Sequence, residues 1–339
     1  MPKMCKMQVI TNPQLIDREA WQRLVDNSST ASWFQTSAAY DFYASLPELM
    51  MPFVVAVQEG SELKGVAVGY VTREKNPLKQ FFTRRAIIIG GPMLSREAEA
   101  EEVKTLMTTV KKTLRSKAIF VETRNFNDYS AYRSAFEQSG FEYVPHYDFH
   151  VDTSSEEVID ANLGKNRKRD IRTSFRDGVT IIEKPSLEQV KVWYELLKDL
   201  YVTKVKTPLF PWRFFEQLYR VEDARYLLTE YEGRVIGGTL CMVLPNTALY
   251  EWFVCGEDGV YKNIFPSSVA TYAGLCHSSK IGCPRFDMMG AGVPGVAYGV
   301  RDFKARFGGE LKELGRFQST EKPLLYQIGK LGVKLLKHR

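Results

Sequence analysis

The sequence predicts a mixed α/β (α+β) protein built as two tandem copies of one unit, and three observations carry that expectation. The chain has 339 residues, enough for two domains of ordinary size. A strand hairpin recurs, with its Glu-Gly turn at Gly60 and again at Gly233, 173 residues further on. An aromatic-bearing helix ends in glycine at Gly140 and at Gly308, 168 residues apart. A nearly constant offset across several elements marks an internal duplication.

Taken in order, residues 53–60 and 65–71 are apolar runs around a polar turn and are expected to form the first hairpin, which 225–233 and 236–243 repeat. A third strand follows in each copy, at 85–90 and at 248–255, and then a helix, at about 95–115 and at 266–280. A short strand comes next, at 118–123 or 284–289, before the helix that ends in glycine. Thr153 or Ser154, ahead of Glu156 and Glu157, reads as a helix cap inside a linker. The boundary is therefore placed at residue 150, giving domains 1–150 and 151–339. The second copy carries an addition before its hairpin, helical patterns at 187–201 and 211–220 split by the proline-bounded stretch 206–211, suited to walling a binding cleft.

Hydrophobic residues make up 44% and charged residues 25% of the chain, the balance of a globular protein. Apolar runs stay strand-sized, far short of the ~20 residues that span a bilayer. No apolar stretch follows the basic start of the chain, so neither a membrane span nor a secretory signal is expected and the protein is read as cytoplasmic. Cys5, Cys241, Cys255, Cys276 and Cys283 are odd in number and scattered, which argues against a disulfide framework. Cys276, His277 and Cys283 lack the paired spacing zinc wants, so no metal site is expected.

The net charge of +6 is unevenly placed. Between 165 and 176, Lys165, Arg167, Lys168, Arg169, Arg172 and Arg176 face a single acid, Asp170, and Lys330, Lys334, Lys337 and Arg339 crowd the end of the chain. On a helix, Lys165, Arg169, Arg172 and Arg176 form one continuous stripe, with Ile171 and Phe175 offset toward the core. Neighbouring like charges repel by about a few tenths of a kcal/mol, so the stripe is expected to meet an anion. Arginine's planar fork suits phosphate; a solvated face is the plain alternative. After Pro323, Leu324, Leu325, Ile328, Leu331 and Leu335 share one helical face. Such a basic amphipathic helix either lies on an anionic membrane or docks on the protein's own core.

The order hairpin, strand, helix, strand, followed by Gly290-Ala-Gly-Val-Pro-Gly295 and then Phe303-Lys304-Ala-Arg-Phe307-Gly308-Gly309-Glu310, resembles the FemABX family. Phe34-Gln35, the basic helix ending in Arg176-Asp-Gly178-Val179, and the stretch 201–211 match as well, so the resemblance spans nearly the whole chain. It implies two tandem GCN5-related N-acyltransferase-like domains. It further implies a bacterial aminoacyltransferase that forms an amide on a primary amine of a phosphate-bearing cell-wall (peptidoglycan) precursor. Charged tRNA would be the donor, with no bound cofactor. A lipid-linked acceptor would make a peripheral contact with an anionic membrane useful.

For the site, the resemblance implies Lys304 as the catalytic donor to the oxyanion. Tyr250, on the strand where the superfamily opens its acyl cleft, is the second catalytic group. Lys165, Arg169, Arg172, Arg176, Tyr201 and Phe303 are the substrate-binding residues, Phe303 also packing with Phe307. Alternation along 248–253 sets Tyr250 and Trp252 on one face and Leu249, Glu251 and Phe253 on the other. Asp287 is read as a structural acid. Superfamily members that use coenzyme A carry a glycine loop whose amides meet the pyrophosphate. Here that connection, 255–266, holds Glu257 and Asp258 with differently spaced glycines, which counts against an acyl-CoA donor. The alternative is an N-acyltransferase that draws on acyl-CoA or acyl carrier protein and acts on an amino sugar or amino lipid. A third reading is a catalytically silent tandem protein that binds RNA or a membrane partner through its bases.

Overall fold

The computed structural model describes residues 7–328, the side chains of Leu78 and Lys79 excepted. These form two units, 7–145 together with 314–328, and His146–Glu313. The first contains strands β1 (Gln8–Ile10), β2 (Met50–Glu59), β3 (Glu62–Thr72), β4 (Arg85–Gly90), β5 (Met93–Leu94), β6 (Phe120–Asn125) and β7 (Glu142–Val144). The second contains β8 (Tyr147–Asp152), β9 (Thr180–Ile182), β10 (Ala224–Tyr231), β11 (Arg234–Leu244), β12 (Ala248–Gly256), β13 (Arg285–Gly290) and β14 (Glu310–Glu313). The last strand, β15 (Arg316–Thr320), belongs to the first unit.

The first sheet runs β1-β2-β3-β4-β6-β15-β7, with β5 beside β3, and the second runs β9-β10-β11-β12-β13-β8-β14. The two orders match place for place. Hairpin β2–β3 corresponds to β10–β11, β4 to β12, and β6 to β13. In each sheet the sixth place goes to a strand that the chain contributes just after finishing the last strand of the other sheet, β15 in one and β8 in the other. The chain thus divides after Pro145 rather than after residue 150, and residues 314–328 leave the stretch 151–339 to join the first unit. Backbone pairing decides this: Gln318 pairs with both Glu122 of β6 and Glu142 of β7, a choice that the alternation of 316–320 does not encode. The turn into β15 uses Gly315 at φ 66°, where a Cβ would come 2.1 Å from the Tyr143 ring, so the crossing needs glycine.

Local signals set the helices. Ala100–Leu114 opens with a capping box between Glu99 and Glu102 and buries Val103, Leu106, Met107, Val110 and Leu114, one helical face, on the first sheet. Leu187–Leu200 opens with a second box, Ser186 and Gln189. Pro266–Lys280 begins on proline and is buried on most sides. A Cβ on its Gly274 would meet the Phe286 ring at 2.8 Å, so glycine sets how closely this helix lies on the second sheet.

The two units differ at their centres. In the first, β4 and β6 pair in parallel along their whole length, from Arg85↔Phe120 to Gly90↔Asn125. There β3 and β4 separate instead, and the fully buried Gln35 stitches the gap. Its Nε2 donates to Val68 O at 2.9 Å and Ile89 O at 2.7 Å, and its Oε1 accepts from Val68 N at 2.8 Å. The described cysteines Cys241, Cys255, Cys276 and Cys283 are free thiols. No helix among the described residues is long and apolar enough to cross a membrane.

Candidate active site

In the second unit β12 and β13 run parallel but pair only at Leu249↔Phe286 and Tyr250↔Asp287, and beyond these the strands part. Two irregularities account for it. The register of β12 against β11 slips between Leu240 and Cys241, leaving Trp252 as an extra residue, a bulge that bends the strand. On β13 the register against β8 slips between Asp287 and Gly290. Met289 there takes φ 58°, a left-handed conformation that a side chain adopts only with support.

Lys304 supplies that support. It is buried on the helix Gly299–Ala305, and its ammonium donates to the carbonyls of Met288, Met289 (3.0 Å) and Gly290 (2.9 Å), the last three residues of β13. An ammonium has three hydrogens, and all three are taken. Burial pulls its pKa down, and Asp148, Glu251 and Asp287 pull it back up. Lys304, expected as the oxyanion donor, thus directs its ammonium at the carbonyls that end the diverging strand.

Glu251 lies where β12 begins to leave β13 and is 4% exposed. Burial pushes its carboxyl up to about 7, held from going higher by the Lys304 charge and by Thr271 and Thr239. Thr239 Oγ1 is 3.3 Å from Glu251 Oε1. Tyr250 points to the other sheet face, fully buried, with its hydroxyl accepting from Arg285 Nη2 at 3.3 Å. Burial pushes this phenol up to about 12. The bulge at Trp252 also corrects the expected alternation: Phe253 pairs with Leu240 and Glu251 with Cys241, so Phe253 lies on the face of Tyr250 and not with Glu251.

Beside Tyr250 the same face gathers Asp287, His150 and Asp148. Asp287 Oδ2 is 3.2 Å from His150 Nε2, and the carboxyls of Asp148 and Asp287 lie within 4.8 Å of each other. Burial and the Asp287 charge raise the Asp148 carboxyl well above its ordinary range. Asp287 is buried just as deeply, yet His150, Arg285 and the Met289 amide hold it below. The two carboxyls are thus pushed in opposite directions, Asp148 toward its protonated form and Asp287 toward its ionised form. Among the described residues, Asp148, His150 and Asp287 bring three metal-capable atoms within 4.8 Å, where no metal site was expected. Arg285 and Lys304 already face these carboxyls, so their charge is balanced by protein cations.

Tyr201 lines the gap on β12's side. Its ring tilts against Phe253 at 6.4 Å, and burial, with Tyr298 and Cys255 nearby, pushes its phenol up to about 12. Phe303 is half-buried in the core of the unit, edge-on to Phe307 at 5.2 Å. The Arg167 guanidinium sits 4.6 Å from each of the two rings. Arg167 thereby leaves the basic cluster and packs inward.

Lys165, Arg169, Arg172 and Arg176 do share the exposed face of the helix Lys165–Arg176, around a shallow surface hollow completed by Lys168 and Thr173. Carboxylates of the same unit already approach them: Arg169 pairs with Asp170 at 3.1 Å, Arg176 with Asp177 at 2.8 Å, and Arg172 with Asp160 at 3.8 Å. Ile171 anchors the inner side as expected, whereas Phe175 stays 38% exposed. At the chain's end, Tyr326 stacks on Phe120 at 4.9 Å while Leu324 and Ile328 face water. Leu331, Leu335 and the four terminal bases lie outside the described residues.

Sequence reasoning brought Lys304 and Tyr201 to this region but gave no role to Glu251, Asp148, His150 and Arg285. A signal existed: Asp148-x-His150 and Arg285-x-Asp287 set pairs of polar groups on one face of otherwise apolar strands.

No protein-family profile matches the sequence, and no curated protein does. Solved structures do. FemX matches with a TM-score of 0.72 at 13% identity, over 95% of this chain and 99% of that one. A tandem GNAT protein from the clavulanic acid biosynthesis pathway matches at 0.57 and 10%, over 93% and 99%. L-PGS from Bacillus licheniformis matches at 0.56 and 12%, over 93% and 97%. At such identities the likeness is one of fold, and the chain has the tandem GCN5-related N-acyltransferase-like fold that these structures share.

Proposed function

We propose that this chain is an acyl- or aminoacyltransferase that forms an amide on a primary amine in the gap between β12 and β13. The observation that carries the reading is Glu251, a buried carboxyl at the point where the strands part and poised at about 7, where a general base works best at neutral pH. The amine attacks the donor carbonyl, a tetrahedral oxyanion forms, Glu251 takes the ammonium proton, and collapse expels the donor's hydroxyl or thiol, which regains a proton. Lys304 holds the strand end in place and keeps Glu251 from rising further.

Two observations bear on the substrates. Asp258 Oδ1 accepts from Ser267 N at 3.2 Å, in the first turn of Pro266–Lys280. A carboxylate thus occupies an amide that a pyrophosphate would use, which supports charged tRNA over acyl-CoA as donor. The stripe Lys165, Arg169, Arg172 and Arg176 supports a phosphate-bearing acceptor such as a cell-wall precursor. Incubation with charged tRNA or acyl-CoA and a panel of amines tests this. Transfer from charged tRNA, reduced about 10²- to 10⁴-fold by Glu251→Gln, is the expected result. Undiminished transfer by the variant removes Glu251 as base, transfer from acyl-CoA alone selects the N-acyltransferase reading, and no transfer at all favours a silent binding protein.

A further inference from the structure

Two segments beside the gap leave apolar side chains in water. Val202 and Val205 are 70% and 43% exposed on the π-turn Tyr201–Val205, and Val293, Val296, Tyr298 and Val300 are 38% to 55% exposed on residues 291–300. One segment packs its Tyr201 ring against Phe253 of β12 and the other continues directly from the end of β13, so both border the gap, with Tyr298 near enough to raise the Tyr201 phenol. Both are braced. The π-turn closes through Lys206 N donating to Tyr201 O at 2.7 Å, with Lys206 at φ 53°, a conformation that persists only where the surroundings hold it. Arg301 donates to Ala291 O at 2.9 Å, Val293 O at 2.6 Å and Val296 O at 3.1 Å. The second segment thus wraps its own arginine and turns its valines outward. Lys204 and Lys206 stand exposed on the same rim, and neither 201–215 nor 288–301 contains an acid.

Single exposed valines are ordinary, but a cluster of apolar residues on two braced, adjoining segments marks an interaction surface. We propose that this rim seats on an anionic lipid surface. Short apolar tips enter the interfacial layer while Lys204 and Lys206 meet lipid phosphates. The absence of any acid from both segments fits an anionic surface in particular.

Sedimentation of the full chain with vesicles of phosphatidylcholine, alone or mixed with phosphatidylglycerol, tests the docking. Binding to the mixed vesicles is expected. It should fall about tenfold or more with Val202→Asp and Val296→Asp together, and about fivefold for each of Lys204→Gln and Lys206→Gln. A chain ending at Glu321 separates the rim from the terminal helix and should keep its binding. No binding by the unaltered chain, undiminished binding by the rim variants, or total loss on truncation overturns the proposal. Melting temperatures confirm that the variants fold. Transfer to a water-soluble amine is unchanged in the valine variants if the transferase reading holds, so the two readings fail separately.

Discussion

Replacing Lys304 by methionine removes a buried cation while nearly keeping its volume. Three carbonyls, of Met288, Met289 and Gly290, lose their shared donor, and Asp148, Glu251 and Asp287 lose a facing positive charge. Breaking one side of such a buried charged network costs about 3–5 kcal/mol. Part of that is the left-handed Met289 turn, which then relaxes toward ordinary backbone. For a unit of this size the loss corresponds to a fall in melting temperature of roughly 10 °C, read by calorimetry. A second consequence distinguishes a brace from a surface lysine. The Lys304 charge holds Glu251 down, so without it the Glu251 carboxyl rises above about 7 and less of it is ionised at neutral pH. The acid limb of the turnover profile therefore moves to higher pH, and turnover at pH 7 falls more than turnover at pH 9. A Lys304→Met protein with unchanged stability and an unmoved acid limb would refute the reasoning. A uniform fall in turnover at all pH, with stability intact, would instead restore Lys304 as the oxyanion donor.

Three other outcomes follow from the same geometry. Glu251 holds its proton up to about pH 7 when folded but near 4.5 when unfolded, so the folded state binds more protons between these values. Glu251 therefore contributes a decline in the stability of the folded chain of about 3 kcal/mol as pH rises from the unfolded value through 7; denaturant titrations of Glu251→Gln should show the decline smaller by that amount. Gln35→Leu leaves buried backbone groups of Val68 and Ile89 without partners, which should cost about 3 kcal/mol and make the Val68 amide exchange quickly; retained protection there would show that water replaces the side chain. Arg169→Ala with Arg172→Ala should weaken binding of a diphosphate-bearing acceptor by ~1.5–3 kcal/mol for each arginine–phosphate hydrogen bond removed without changing the melting temperature, and unchanged affinity would return the stripe to its Asp160 and Asp170 pairs.

The duplication was legible because it is written in local terms. Hairpin turns at Gly60 and Gly233, apolar strand runs and the helices they precede depend on residues near in sequence. The basic stripe was legible for the same reason, since helical spacing alone puts Arg169 and Arg172 side by side. Lys304 and Tyr201 were reached through the family resemblance of their segments, which carries no information about which hydrogen bonds their atoms make.

What the tertiary structure decided was everything that depends on pairing between distant strands. The sheet that receives β15 is chosen by Arg316–Thr320 bonding between β6 and β7, and a five-residue alternation looks alike for either sheet. The gap between β12 and β13 arises from the slip at Trp252 and the left-handed Met289, events of register that leave no mark in composition or period. The slip reverses Phe253 and isolates Glu251, and that isolation together with the Lys304 charge sets its proton affinity. A glutamate in a strand is an ordinary residue by sequence. Only the loss of water around it, imposed by strands and two helices drawn from 239 to 304, makes it a candidate base.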